Sequence, residues 1–229
     1  MKRNPRNVCV CSCTHSPFMK RGYVDFLKEV SDEYGCGTFI HLGDEIDHHR
    51  ISFHDPEPEA MGAREELVKA KKQLKQLYKA FPVAKVCLSN HTSRHTRRGA
   101  SVGIPGEYFK DLRYLLEAPK GWYWNREWIY DGVVYTHGDK KGGGAFPHIN
   151  FAVKRMRSMV IGHYHTKAGV EYVQSEEKRI FGMCVGVGHD DDSYAFKYAQ
   201  DTQTKPIVGC GVVLGGDMAQ FIPMHKKCD

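Results

Sequence analysis

Five short clusters of polar side chains follow apolar runs that are predicted to be buried strands. They read "CTH" at 13–15, "GDEID" at 43–47, "SNHT" at 89–92, "YTHGD" at 135–139 and "GHYH" at 162–165. One such cluster is most often a cap or a surface loop, and a lone histidine is more often structural than a ligand. Five of them at successive strand ends supply imidazoles, carboxylates and an amide, a mixture that suits a pair of divalent metal ions.

The first half of the chain carries strands and helices in alternation, and these elements must position the clusters. Apolar runs predict strands at residues 8–13, 38–42 and 83–88. Apolar residues at helical spacing predict helices at 23–34, 63–77 and 109–116. In open α/β sheets, sites gather where the strands end, so the clusters are expected to lie close together.

The second half is predicted to be rich in strands. In "WYWNREWIYDGVVYTHG", the Asp131-Gly132 pair is a strong hairpin signal and predicts two strands around that turn. The glycine-rich loop "KKGGG" precedes a predicted helix at about 146–157, and "SMVIGH" predicts a further strand. Alternating strands and helices followed by antiparallel strands favour an α/β fold, a layered β-sandwich flanked by helices.

Length and composition favour one domain over residues 1–229. The 229 residues, 41% of them hydrophobic, are enough to bury one core. The sequence shows no charge block, internal repeat, low-complexity run or Pro/Ser-rich linker. No segment approaches the roughly 18 apolar residues of a membrane span, and the apolar run near the N-terminus is too short for a signal peptide. A soluble, cytoplasmic protein is therefore expected.

The cysteines are predicted to be free and buried. Six of the eight lie in or beside apolar runs without the regular spacing of a disulfide framework. Cys9, Cys11 and Cys13 share one face of the first strand at about 6.8 Å intervals, so all three can hardly bind one ion. The net charge of +6 favours an anionic ligand, although many proteins without a nucleic-acid role share it.

The order of the five clusters resembles the motif series of the calcineurin-like metallophosphoesterases, D-x-H, G-D-x-x-D, G-N-H-[DE], H and G-H-x-H. The matching motifs extend from His15 to His165, about two thirds of the chain. The compact size is similar to that of stand-alone members from bacteria and their phages. The resemblance implies an α/β/β/α fold and hydrolysis of phosphate esters at two divalent ions, Mn, Zn or Fe.

The resemblance also implies a role for each matched residue. The first metal is implied to bind Cys13, His15 and His165, and the second metal Asn90, His137 and His163, with Asp44 bridging the two. His91 is implied to be the catalytic imidazole, which protonates the leaving oxygen or stabilises charge on the phosphate, and Asp47 to orient it. Two cations about 3.5–4 Å apart clamp a phosphate and lower the pKa of a bound water.

Three residues depart from the family's pattern. Cys13 stands where the family has its first aspartate, Ser89 replaces a glycine, and Thr92 replaces an acid. The last two are expected to be tolerated. A thiolate at position 13 binds zinc or ferrous iron but disfavours magnesium and manganese. Two interpretations stay open: Cys13 is a ligand that changes or weakens the first metal, or it is a buried thiol that fills space.

Three arginines follow the catalytic loop in "TSRHTRR". Arg94, Arg97 and Arg98 are predicted to face a phosphate or a nucleic-acid backbone, with a solvated basic loop as the alternative. Trp122, Trp124 and Trp128 either stack on bases or belong to the core. These residues do not separate a nuclease from a phosphatase.

Two functions compete on this sequence. The leading hypothesis is a metal-dependent phosphoesterase, more specifically one that hydrolyses phosphodiesters of nucleic acid or nucleotides. The alternative is a degenerate relative that binds a phosphorylated ligand without turnover, which the loss of the first aspartate at Cys13 favours. The His91–Asp47 pair and the complete second-metal set favour the enzyme.

Overall fold

Two β-sheets packed face to face form the centre of the protein, in a computed structural model that describes residues 3–53, 57–140, 143–190, 192–193 and 204–225. The strands are β1 (Asn4–Cys11), β2 (Cys36–His41), β3 (Val83–Cys87), β4 (Gly121–Asn125), β5 (Glu127–Tyr130), β6 (Val133–Thr136), β7 (Met159–Ile161), β8 (Ala168–Gln174), β9 (Arg179–Val185), β10 (Gly209–Leu214) and β11 (Met218–Pro223). The helices are α1 (Tyr23–Glu33), α2 (Ala63–Ala80), α3 (Arg94–Ser101), α4 (Leu112–Leu115) and α5 (Pro147–Arg155), with 3₁₀ turns at His49–Ile51 and Gly106–Tyr108.

The two sheets differ in how their strands are connected. The first has the order β11-β10-β1-β2-β3-β4, in which β1 to β4 are parallel and the β10–β11 hairpin pairs antiparallel with β1. The second has the order β5-β6-β7-β9-β8, in which β6, β7 and β9 are parallel and each edge strand is antiparallel. The carboxyl ends of β1, β2 and β3 therefore lie at one edge of the first sheet.

Alternation along β1 sends its side chains into two different cores. Val8 and Val10 pack between the two sheets, whereas Cys9 and Cys11 face helices α1 and α2. On the outer side of the second sheet, α5 packs through residues that include Ile149. The layers run helix, sheet, sheet, helix, which confirms the predicted α/β sandwich.

Helices α1 and α2 form because their apolar residues recur on one face. Leu27 of α1 and Leu74 and Leu77 of α2 are completely buried, and full burial of a leucine stabilises a fold by roughly 1.5–3 kcal/mol. The opposite face of α2 carries the lysines that keep it in water. These helices cover the outer face of the first sheet and so hold its strands, including the strand ends, in place.

Two predicted elements differ from the observed ones, and one observed helix was not predicted. The segment around "WYWNREWIY" forms β4 in the first sheet and β5 in the second, because the chain leaves one sheet for the other at Arg126. Helix α3 was not predicted, since its residues are mostly polar and lack apolar periodicity. The predicted helix at 109–116 is reduced to α4. Of the loop "KKGGG", Lys141 and Gly142 lie outside the described residues.

The tryptophans and cysteines mostly serve the core. Trp122 is fully buried and donates to the carbonyl of Phe81 at 2.8 Å, and Trp128 donates to that of Val86 at 2.9 Å. The seven cysteines within the described ranges are free and buried; the eighth, Cys228, lies outside those ranges. Within the same ranges, no helix has the length and apolar character needed to cross a membrane.

Candidate metal centre

The five polar clusters meet where strands of both sheets end. Cys13 donates its backbone N–H to the carbonyl of Gly43 at 3.0 Å, and His15 donates to that of Asp44 at 2.8 Å, so the loops after β1 and β2 are joined. From the second sheet, Gly162 donates to the carbonyl of His137 at 3.0 Å. A Cβ on Gly162 would lie 1.9 Å from Ser12 Oγ, so only glycine lets the two sheets approach this closely.

Several residues of these clusters have backbone conformations that non-glycine residues rarely adopt. The φ angles are 51° at Cys13, 46° at His15, 55° at Asp44 and 66° at His163. The left-handed conformation costs a non-glycine residue roughly 1–2 kcal/mol. Such strain gathers at functional sites, where the surrounding structure holds side chains in place for a purpose other than stability.

Four side chains form what we call the first cluster: Cys13, His15, Asp44 and His165. Their potential ligand atoms all lie within 4.8 Å of one another. His15 Nε2 is 3.3 Å from His165 Nε2 and 3.6 Å from Asp44 Oδ2. Two ligand atoms that each lie about 2.1 Å from one ion are roughly 3.0–3.4 Å apart at ordinary coordination angles. The first cluster has the spacing of a metal site.

A second cluster shares Asp44 and consists of Asp44, Asn90, His137 and His163. The ligand atoms of Asp44, His137 and His163 lie within 4.8 Å of one another. His137 Nε2 is 3.2 Å from Asp44 Oδ2 and 2.9 Å from Asn90 Oδ1. The same carboxylate oxygen, Asp44 Oδ2, therefore faces both clusters, which is the position of a bridging ligand.

The hydrogen bonds made by Nδ1 of His137 and His15, on the side of each ring that faces away from the cluster, show that these residues fit a cation. His137 donates Nδ1–H to the carbonyl of Leu42 at 2.8 Å, and His15 donates Nδ1–H to Asp47 Oδ1 at 2.7 Å. A neutral ring with its proton on Nδ1 has a lone pair on Nε2. That lone pair of His137 points at two acceptor oxygens, on Asp44 and Asn90. A divalent ion satisfies all three, and rear hydrogen bonds of this kind orient metal-bound histidines.

Burial and charge set the protonation states of the cluster residues. Burial disfavours a charged His137 ring, but Asp44 outweighs burial and raises the pKa of that ring, so a metal ion there replaces a proton. Burial lowers the pKa of His163 to about 4 and the pKa of His165 well below its ordinary value. Both rings are therefore neutral near pH 7. Burial opposes ionisation of Asp44, but the neighbouring histidines, His137 foremost, outweigh it and hold its pKa well below normal. Burial, then Asp44, raises the pKa of the Cys13 thiol, so metal binding there releases a proton.

His91 lies against the first cluster in a network centred on Asp47. His91 Nδ1 is 3.0 Å from Asp47 Oδ1 and 2.8 Å from the carbonyl oxygen of Asp47. The same Oδ1 accepts from His15, so Asp47 orients a residue of the first cluster as well as His91. Burial disfavours a charged His91 ring, but Asp44 and Asp47 outweigh burial and raise its pKa. His15, Asp47 and His91 could also hold an ion by distance, yet these hydrogen bonds already occupy their facing atoms.

The three predicted substrate arginines have different surroundings. Arg94 is buried, its Nη1 donates to the carbonyls of Asp47 and His48, and its Nη2 lies 3.1 Å from His91 Nε2. Arg98 donates to the carbonyls of Ile51 and Ser52. Both guanidinium groups hold backbone carbonyls of the segment that follows β2, and Arg94 also lines a cleft beside the second cluster. Their predicted contact with substrate stays a prediction.

Arg97 Nη1 lies 3.4 Å from the carbonyl oxygen of Asn90, and its predicted role in substrate binding also stays a prediction. It is exposed and lines a cleft of about 450 Å³ together with Asn90 and His163 of the second cluster. Phe53, whose side chain is 46% exposed, stands at the same cleft with its ring 5.0 Å from the Arg97 guanidinium. The cleft connects an aromatic and a cationic side chain to the second cluster.

The two departures at Ser89 and Thr92 belong to one buried network. Ser89 Oγ accepts from the backbone N–H of Asp44 at 2.8 Å and lies 2.6 Å from Thr92 Oγ1. Thr92 Oγ1 donates to Glu45 Oε2 at 2.7 Å, and Trp124 Nε1 donates to Glu45 Oε1 at 2.9 Å. The side chains that replace the family's glycine and acid thus tie the 89–92 loop to the backbone of Asp44.

Thr92→Val is expected to lower the free energy of unfolding by about 1–3 kcal/mol, because it keeps the shape of the side chain but removes the hydroxyl that donates to the buried Oε2 of Glu45. Urea denaturation measures the loss. The matched control is Thr96→Val, at a partly exposed threonine whose hydroxyl donates to the carbonyl of Ser93. Equal stability of Thr92→Val and wild type would show that the network does not hold this loop.

Phe53 at the cleft and His189 beside the first cluster were not predicted from the sequence. His189 is fully buried, its Nε2 lies 3.3 Å from His165 Nδ1, and its ring centroid is 5.4 Å from that of His15. A His165 ring that offers Nε2 to the first cluster carries its proton on Nδ1 and donates it to His189. His189 follows the strand-like "CVGVG", as the other clusters follow their strands, and that position was the available signal.

Comparisons with known proteins give structural matches only. No family model and no curated protein matches the sequence. Vacuolar Protein Sorting 29 from Cryptosporidium parvum matches with a TM-score of 0.45 and 10% identity, over 94% of this chain and 86% of that one. The phosphoesterase Yfce from E. coli matches with a TM-score of 0.42 and 15% identity, over 90% and 87%. The nuclease MPE from Pseudomonas putida matches with a TM-score of 0.37 and 12% identity, over 96% and 88%. At TM-scores below 0.5 these likenesses carry no weight for function, which is inferred from the side chains of the site.

Proposed function

We propose that this protein is a metal-dependent phosphoesterase that hydrolyses phosphodiesters of nucleic acid or nucleotides. The observation that carries the proposal is the shared oxygen, Asp44 Oδ2, which faces His15 of the first cluster and His137 of the second at 3.6 and 3.2 Å. Two divalent ions bound there neutralise charge on a phosphate and lower the pKa of a water molecule. Proton transfer and substrate binding are assigned to side chains of the protein.

His91 acts as the general acid in this proposal. Its Nδ1–H is held by Asp47, so Nε2 is the atom that gives a proton to the leaving oxygen. Once Nε2 has lost its proton, it accepts from Arg94 Nη2, which lies 3.1 Å away. Arg94 therefore stabilises the neutral ring and makes proton release easier.

The cleft supports a substrate larger than a simple phosphate. Its volume of about 450 Å³ leaves room beyond the second cluster for a group attached to the phosphorus. Arg97 offers a charge-assisted hydrogen bond to a neighbouring phosphate, and the ring of Phe53 offers a surface on which a base can stack. These features favour nucleotidyl phosphodiesters over small phosphomonoesters.

Hydrolysis of bis-p-nitrophenyl phosphate with added manganese, zinc or ferrous iron tests the proposed function. The expected result is metal-dependent release of p-nitrophenol that a chelator abolishes, at a higher rate than with the monoester p-nitrophenyl phosphate. If a metal-loaded protein releases no product from either compound, the enzyme proposal is wrong. The alternative of ligand binding without turnover then takes its place.

Arg97→Ala is expected to raise KM for a short single-stranded oligonucleotide by roughly tenfold or more, because a hydrogen bond to a charged group contributes about 1.5–3 kcal/mol. The kcat value, and both constants for bis-p-nitrophenyl phosphate, should change little. Lys28→Ala, which removes one positive charge from the exposed face of α1, is the matched control. An equal rise in KM for both variants would mean that net charge, not the Arg97 contact, binds the oligonucleotide.

A further inference from the structure

The two clusters offer different donor atoms although they share Asp44. The first cluster supplies the sulfur of Cys13 and the imidazoles of His15 and His165. The second supplies the amide oxygen of Asn90 with the imidazoles of His137 and His163. Soft thiolate ligands select zinc or similar ions, whereas oxygen ligands suit manganese and magnesium. The chain thus places a sulfur donor on one side of Asp44 and an oxygen donor on the other.

The surroundings of Cys13 differ from those of every other described cysteine. Cys9, Cys11, Cys36 and Cys210 pack in the core between the first sheet and its helices, Cys87 packs between the sheets, and Cys184 packs under α5. Cys13 is equally buried but belongs to none of these apolar clusters. Its sulfur lies 3.1 Å from Ser12 Oγ and within 4.8 Å of the ligand atoms of the first cluster. A thiol that only fills space belongs among apolar side chains, and Cys13 is not placed among them.

The two clusters also differ in access. Cys13 and His15 are completely buried, as is His137 of the second cluster, whereas His165, Asn90 and His163 are partly exposed. The cleft beside Arg97 is lined by Asn90 and His163 of the second cluster and by no residue of the first. A substrate in this cleft therefore approaches the centre past the second cluster, and donors that are buried from water favour slow exchange of an ion in the first.

We infer that the centre is a mixed one, in which the first cluster holds a slowly exchanging zinc ion through the Cys13 thiolate and the second cluster holds a harder, exchangeable ion such as manganese. The inference rests on the proposed function only in taking both clusters as metal sites. On binding, the Cys13 S–H bond breaks, the sulfur donates its electron pair to the ion, and the proton leaves to solvent. One thiolate, two imidazoles and a carboxylate form a donor set of the kind that zinc favours.

Cobalt binding to the wild-type protein tests the sulfur ligand without reference to activity. Chelator-treated protein is titrated with Co²⁺, and a thiolate–cobalt charge-transfer band in the near ultraviolet is expected to saturate at one ion per chain. Cys13→Ser should lose the band, whereas Cys184→Ala, which removes a thiol packed under α5, should keep it. Absence of the band in cobalt-loaded wild type would overturn the inference, and so would its persistence in Cys13→Ser.

Metal competition tests the division between the clusters. Wild-type protein dialysed against excess manganese is expected to retain one zinc ion per chain and to exchange the second ion. Cys13→Asp should lose zinc preference by at least the roughly 10–100-fold that follows loss of an outer-shell partner, and should take up manganese instead. Replacement of both ions at equal rates in wild type would contradict the inference. Hydrolysis of bis-p-nitrophenyl phosphate is measured on the same samples. A protein that retains zinc but hydrolyses nothing would refute the proposed function and leave the mixed centre standing.

Discussion

Asp44→Asn is expected to lower the metal content from two ions per chain to fewer than one and to reduce phosphodiester hydrolysis by about 10³-fold or more. Asp44 Oδ2 is the atom that faces both clusters. An amide at this position keeps the shape of the side chain but removes the negative charge that offsets two cations. Elemental analysis of the dialysed protein and initial rates with bis-p-nitrophenyl phosphate measure the two effects.

The matched control for this variant is Glu45→Gln, the same chemical change at the next residue. Glu45 is also completely buried, but its carboxyl accepts from Thr92 and Trp124 and belongs to neither cluster. We expect Glu45→Gln to keep its metal. If Asp44→Asn keeps two ions per chain, Asp44 does not bridge them and the description of the centre is wrong.

His91→Ala is expected to reduce hydrolysis by roughly 10²–10⁴-fold, the usual contribution of a general acid or base, while the metal content stays near that of wild type. His91 contacts Asp47 and lies beside the first cluster, but the ligand atoms of both clusters are complete without it. Parallel measurement of rate and bound metal separates a proton donor from a ligand.

His95→Ala provides the control, because His95 lies four residues further along, in the first turn of α3, and its Nδ1 hydrogen-bonds the carbonyl of Thr92. Its effect on the rate should be small. If His91→Ala instead loses an ion, then His91 ligates metal together with His15 and Asp47, the third group that has suitable distances. The role of proton donor would then be wrong.

The convergence of the first three clusters could be predicted because each follows a strand of one parallel sheet, whereas the approach of His137 and His163 depends on how the second sheet packs against the first. Buried strands that end in Asp44 and Asn90 must end at the same edge when they are neighbours in a parallel sheet, and β2 and β3 are such neighbours. The α/β layers followed from the alternation of apolar runs and helical periodicity. Both features are local in sequence, so the sequence contains them directly.

The hydrogen bonds around the clusters could not be predicted, because they depend on register between distant segments. Asp47 was expected to orient His91. The hydrogen bond from His15 to Asp47 was not expected, because it depends on how the loops after β1 and β2 are placed side by side. The bonds from Arg94 and Arg98 to the carbonyls of the 47–52 segment could not be predicted either, because they depend on where that segment lies beside α3. His189 carries no motif that marks it, and only the fold brings it to His165.

A crystal structure of the protein grown with zinc and manganese, with anomalous scattering recorded at both metal edges, tests the two-metal centre directly. Two peaks are expected on either side of Asp44 Oδ2, with the zinc signal next to Cys13, His15 and His165 and the manganese signal next to Asn90, His137 and His163. A single peak, or a peak among His15, Asp47 and His91 in place of the two, would contradict the two-metal centre.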